Sequence, residues 1–165
     1  MQEISDFNLN RKVSGVIVMS EYPAGGVYIL KIKVEYQKKI RIGALGKKDF
    51  TPGYYFYAGT AQRNLEARIK RHYSSDKKFH WHIDYFLAEV KLEKDFVFEL
   101  PAEGECFLAQ TLINNGGRTP VEGFGASDCS CGSHLIYFSL TEGREIMEQL
   151  SSEKDLEAEF YAAKG

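Results

Sequence analysis

The segment GYYFYAGTAQRNLEARIKRHY, residues 53–73, changes periodicity halfway along. Residues 54–57 are aromatics that favour extended backbone, followed by Ala58 and Gly59. Pro52–Gly53 punctuates the chain just before them. From Leu65 the spacing turns helical: Leu65, Ile69 and Tyr73 share one face, and Arg68, Arg71 and His72 occupy others. Asn64 is the expected N-cap. The segment therefore reads as a tyrosine-rich strand that runs into a cationic helix.

Working outward, GVYILKIKVE (26–35) reads as a strand and KKIRIGALG (38–46) as its antiparallel partner. VSGVIVM (13–19) predicts a short strand, and EYPAGG (21–26) a turn. A helix is expected over 79–88, a strand over 89–100, and a helix over 105–114 that Asn114-Asn115-Gly116-Gly117 ends. GFGASDCSCGSH is a glycine-rich loop, and LIYFSL (135–140) a last strand. Residues 141–163 predict one or two charged helices, with Thr141 and Ser152 as caps. This order predicts an α+β fold: a small, mostly antiparallel sheet flanked by helices, with a charged helical C-terminal tail. The expected organisation is an extension (1–24), a central domain (25–140) and the tail (141–165).

The chain has 165 residues, 44% hydrophobic and 27% charged, an ordinary balance for one compact domain. No apolar run approaches the ~20 residues of a membrane helix. VSGVIVM is short for a secretory leader and follows Glu3 and Asp6. The expectation is a soluble cytoplasmic protein with no membrane partner. The net charge of −2 conceals a division. Residues 26–80 carry thirteen Lys/Arg against four acids, whereas residues 142–165 carry seven acids against three bases. A locally basic surface can hold a polyanion on an acidic molecule.

Two short motifs then come into register. Gly26-Val27-Tyr28 and Tyr57-Ala58-Gly59 sit on two expected strands, Arg68 and His72 on the next helix, and Glu105 opens a later helix. This pattern resembles the GIY-YIG nuclease superfamily, which includes phage homing endonucleases and the incision subunit of bacterial nucleotide-excision repair. YAGTA…LEARIKRH, HWHIDY, ECFLAQ and GFGASDCSCGSHLIYF look like a small branch of it that also occurs fused to endonuclease III-type glycosylases. The resemblance spans about residues 25–139. Val27 and Ala58 stand where the signatures have isoleucine, and a basic segment (about 35–50) separates the two signatures more widely than is usual.

The resemblance implies a divalent-metal-dependent hydrolysis of phosphodiester bonds in DNA, with RNA left open. Tyr28 would be the general base or orient the water, and Tyr57 would bond the phosphate or water. Arg68 would clamp the phosphate with its planar fork. Glu105 would bind Mg²⁺ or Mn²⁺ through oxygen. His72, one turn from Arg68, would support them. Lys38, Lys39, Arg41, Lys47, Lys48, Arg63 and Arg71 are candidate backbone contacts. A DNA glycosylase or another repair protein is the implied partner. The alternative is a non-catalytic nucleic-acid-binding module serving base-excision repair. A third reading is a zinc-stabilised interaction domain that docks through its acidic tail.

Two further clusters draw notice. Three cysteines make a poor disulfide framework, and Cys129-x-Cys131-x2-His134 offers thiolate and imidazole ligands of the kind Zn²⁺ takes. His80, His82 or Cys106 are the candidates for a fourth ligand. HWHID (80–84) matches the opening of a metallo-β-lactamase metal site, but Tyr85 stands where the next histidine is needed. His80 and Asp84 are instead expected to bond each other, and Trp81 to lie in the core.

Overall fold

The computed structural model describes residues 12–13, 16–17, 22–126, 131–150 and 152–164. It is an α+β fold built on one four-stranded antiparallel sheet. Its strands are β3 (Gly26–Val34), β6 (Gly53–Ala61), β7 (Lys91–Phe98) and β8 (Leu135–Phe138), in the spatial order β7-β3-β6-β8. Two short antiparallel ribbons stand apart: β1 (Lys12–Val13) with β2 (Val16–Ile17), and β4 (Lys38–Arg41) with β5 (Lys47–Phe50). Among the described residues, no helix is long and apolar enough to cross a membrane.

Residues 38–46 do not pair with 26–35 as expected. β3 pairs with β6 on one side and β7 on the other, so both of its edges are taken. The basic segment instead folds onto itself, with Lys38 opposite Phe50 and Arg41 opposite Lys47. Its turn contains Gly43 at φ 48° and Gly46 at φ 82°, backbone that side chains with a Cβ rarely adopt.

The sheet is covered on both faces, which is why its two central strands read as nearly unbroken apolar runs. Alternation along β3 and β6 divides the core. Tyr28, Leu30, Ile32 and Val34 join Tyr55 and Tyr57 on one face. Val27 and Ile29 join Tyr54, Phe56 and Ala58 on the other. The tyrosine face carries Leu65 and Ile69 of α1 (Leu65–Tyr73), and Ile83 and Phe86 of α2 (His82–Leu87). Ile40, Ile42 and Phe50 of the basic ribbon also pack there, so its apolar positions are core while Lys39, Arg41 and Lys47 are exposed.

The opposite face carries Leu108, Ala109 and Leu112 of α3 (Gly104–Asn114). The expected tail folds as three helices: α4 (Leu140–Gly143), α5 (Ile146–Gln149) and α6 (Glu153–Lys164). Ile146, Met147, Leu156 and Phe160 are buried in the same cluster, so these helices complete the core.

The capping chemistry differs in part from expectation. Asn64 adopts the left-handed conformation (φ 53°) and its side chain caps nothing. Ser139, rather than Thr141, caps α4 by accepting from the Glu142 amide. Ser152 does accept from the Asp155 amide, at 3.2 Å.

Candidate active site

Along β6, β8 pairs with Tyr54–Tyr57, and that ladder ends at Tyr57 opposite Leu135. There the His134 carbonyl accepts from the Ala58 amide at 3.0 Å. A cleft of about 340 Å³ opens beside this ending, lined by Tyr28, Tyr57, Thr60, Arg68, Trp81 and Glu105, with His80, His82, Gly125 and His134. Four different elements thus deliver the expected Tyr28 (β3), Tyr57 (β6), Arg68 (α1) and Glu105 (α3) to one concavity.

Glycines allow this convergence. Tyr28 lies opposite Gly59 in the ladder, and a Cβ on Gly59 would meet the Tyr28 ring at 2.6 Å. The bare glycine leaves room for the ring against β6. At the helix end, a Cβ on Gly104 would meet Leu100 at 2.7 Å and Val27 at 2.9 Å. Gly104 lets the first turn of α3 press against β3, with Glu105 beside it.

Tyr28 is 1% exposed, and its hydroxyl is 2.7 Å from His72 Nε2. Burial pushes its pKa up to about 12, with the Arg68 guanidinium pulling the other way. Tyr57 is pushed well above the ordinary tyrosine value, chiefly by burial. Burial drives His72 down to about 3, with Lys77 adding to the effect, so the ring is neutral at physiological pH. Its Nδ1 is buried with no hydrogen-bond partner among the described residues. An orphaned buried N–H is rarer than an under-used acceptor. On that ground the ring proton is assigned to Nε2, which then donates to the Tyr28 oxygen.

Arg68 Nη1 donates to the Thr60 carbonyl at 2.9 Å, and its guanidinium lies 4.4 Å from the centroid of Trp81. Arg71 stacks on the same indole at 4.5 Å. Its fork also bonds Asp84 in bidentate fashion, at 2.8 and 3.0 Å. Trp81 is therefore partly a shelf for cations at the cleft. Burial works against ionising Asp84. The Arg71 fork and the amides of Trp81 and His80 outweigh it, and the carboxyl sits below its ordinary pKa. His80 thus meets Asp84 through its backbone, ahead of α2, and not as a side-chain pair within one helix.

Glu105 Oε1 lies 3.7 Å from His134 Nδ1, and the carboxylate side chain is 21% exposed. His82 Nδ1 accepts from the Gly125 amide at 3.0 Å, which ties the 121–126 loop to α2. Burial lowers the pKa of His82. It also lowers that of His134, against a backbone contact with Gly125.

The expected cysteine chemistry is corrected in one respect. Cys106 and Cys131 form a disulfide rather than standing as free thiols. The pairing joins α3 to the loop before β8, a relation that local spacing cannot reveal. Cys129 lies outside the described residues. Of the candidate fourth ligands, Cys106 is the one that joins Cys131 and His134 in a cluster.

The expected backbone contacts fall into two sets. Lys39, Arg41, Lys47 and Arg63 are exposed, and Lys38 and Lys48 are half-buried. Lys39 pairs with Asp49 across the ribbon at 2.9 Å. Arg71, bound to Asp84, braces α1 against the start of α2. Thr60 and the shelf position of Trp81 were not anticipated. The HWHID motif was the available signal for the latter, since both of its histidines line the cleft.

A family model described as "Domain of unknown function DUF123" matches residues 27–155, most of the chain. The chain belongs to the DUF123 family. No curated protein and no solved structure matches it. The matched DUF123 region takes in all four strands of the main sheet, every cleft residue named above, and helices α4 and α5.

Proposed function

We propose that this DUF123 domain is a divalent-metal-dependent endonuclease of the GIY-YIG type, acting on DNA in repair or processing of DNA structures in the cytoplasm. The observation that carries the reading is the meeting of Tyr28, Tyr57, Arg68 and Glu105, from four elements, in one polar cleft. Scattered surface residues would not converge in this way.

The donor set at Glu105 fits Mg²⁺ or Mn²⁺. These ions are commonly held by one or two carboxylates together with water and substrate phosphate oxygens. When bound, such an ion supplies charge neutralisation at the phosphate. The residues supply the rest. Arg68, steadied by Thr60 and Trp81, holds the phosphate through its guanidinium fork. Tyr57 donates its hydroxyl to a phosphate oxygen. Tyr28, once its own proton has passed to solvent, takes a proton from the attacking water at its phenolate oxygen. A phenolate formed there is stabilised by the His72 N–H and by the Arg68 charge. Burial keeps Tyr28 protonated; a cation held by Glu105 would favour loss of that proton to solvent, whereas the anionic phosphate alone would oppose it.

A second reading, a binding module without catalysis, is favoured by one observation. Arg68, held on the Trp81 ring at the cleft, places a cation suited to a nucleic-acid backbone regardless of any reaction. The deciding experiment is cleavage of single-stranded, duplex, flap, branched and abasic DNA with Mg²⁺ or Mn²⁺, beside Glu105→Gln. The expected result is metal-dependent cutting that falls by about 10²-fold or more in the variant. Binding without cutting, or cutting that survives Glu105→Gln, moves the reading to the module.

A further inference from the structure

We infer that Cys106, Cys131 and His134 form a Zn²⁺ site when the two sulfurs are reduced. The ligand atoms of the three residues lie within 4.8 Å of one another. Cys106 Sγ stands 3.6 Å from His134 Nε2. With Zn–S and Zn–N bonds of ordinary length, a tetrahedral ion separates those two ligands by about 3.6 Å. The sulfur–nitrogen edge of the site is therefore already in place. Once the bond is opened, rotation of the Cys131 side chain would part the two sulfurs and set the remaining edges.

The surroundings suit the ion. His134 is 1% exposed and its ring lies between two groups, with Nε2 3.6 Å from Cys106 Sγ and Nδ1 3.7 Å from Glu105 Oε1. A zinc-bound imidazole characteristically gives its other N–H to a carboxylate. Two thiolates and one imidazole carry a net charge of −2, which the ion cancels. Among the described residues three ligands are at hand, and a tetrahedral ion takes one more, from water or from the protein.

The chemistry balances. A dithiol reductant gives two electrons and two protons to the Cys106–Cys131 bond, becoming a disulfide itself and returning two thiols. Zn²⁺ then displaces the two thiol protons. Because Cys106 adjoins Glu105 in the first turn of α3, the ion would fix that turn to the loop before β8. The site does not depend on the hydrolase reading.

The test is made on the full chain purified with excess dithiol, then freed of it. Zinc per chain is measured by mass spectrometry, and Co²⁺ is substituted to read its absorption. The expected results are one zinc per chain, and with cobalt a sulfur charge-transfer band and the intense visible bands of tetrahedral geometry. Cys106→Ser and Cys131→Ser should each lose the ion. Glu105→Gln should weaken zinc binding by about 10-fold or more while retaining the cobalt spectrum. Reduced wild-type protein that takes neither metal overturns the site without reference to any variant. So does a disulfide that survives the dithiol, or zinc retained in Cys106→Ser.

Discussion

Gly59 and Tyr28 are the pair on which the cleft turns. Gly59→Ala places a methyl where the Tyr28 ring lies, 2.6 Å away, so the ring must move. The expected cost is about 1–3 kcal/mol of stability, measured by urea unfolding. A Tyr28→Ala background should absorb most of it, which a double-mutant cycle would register. His72 carries a pH prediction. Its folded pKa, about 3, is depressed from 6.5 by burial. Above the unfolded value the group contributes no slope. Below it the unfolded chain takes a proton that the folded one refuses, so stability falls by about 1.4 kcal/mol per pH unit down to the folded pKa. Urea midpoints at successive pH values should show a shallower slope in His72→Phe, although His82 and His134 are shifted in the same direction and keep their own share. At this scale the sequence was informative where chemistry is tied to local order. Tyr28, Tyr57, Arg68 and Glu105 could be named from short motifs. The partner of Cys131 and the stacking role of Trp81 could not, because each is set by a residue on a different element.

The β4–β5 ribbon shows where strand reading stops. Its apolar positions Ile40, Ile42 and Phe50 and its lysines alternate as any hairpin strand would, and nothing in that alternation says which neighbour the strand chooses. The choice was made by β6 and β7, which occupy both edges of β3. Helices were legible from their spacing and from Gly116-Gly117. Asn64 misled because its left-handed backbone turns the side chain away from the capping position. If the ribbon meets nucleic acid, replacing Lys39, Arg41 and Lys47 with Glu should lower affinity across all sequences. The slope of log affinity against log salt should fall by roughly one per lost phosphate contact. Fluorescence anisotropy at several salt concentrations would read both. An unchanged slope would place the contact surface elsewhere.

For the molecule as a whole, the expected α+β architecture is the one observed, but the acidic C-terminal segment is part of the core. Its charge pattern suggested an appendage, since seven acids over residues 142–165 mask four buried apolar side chains. Ending the chain after Leu150 removes Leu156 and Phe160. At about 1.5–3 kcal/mol for each buried side chain, roughly 3–6 kcal/mol of stability should be lost, and the denaturation midpoint should fall accordingly. Tryptophan fluorescence from Trp81, on the opposite face, would report whether the cleft survives the truncation. The pairing of β6 with β8 has a consequence for the newborn protein. Tyr54 finds Phe138 only after the ribosome has made everything between them. His134, whose carbonyl closes that ladder, emerges as late as its neighbours, and Leu156 and Phe160 later still. A nascent chain therefore exposes its basic half long before the cleft can be finished. Any reactivity of the cleft is withheld until His134 and the β8 strand have been made.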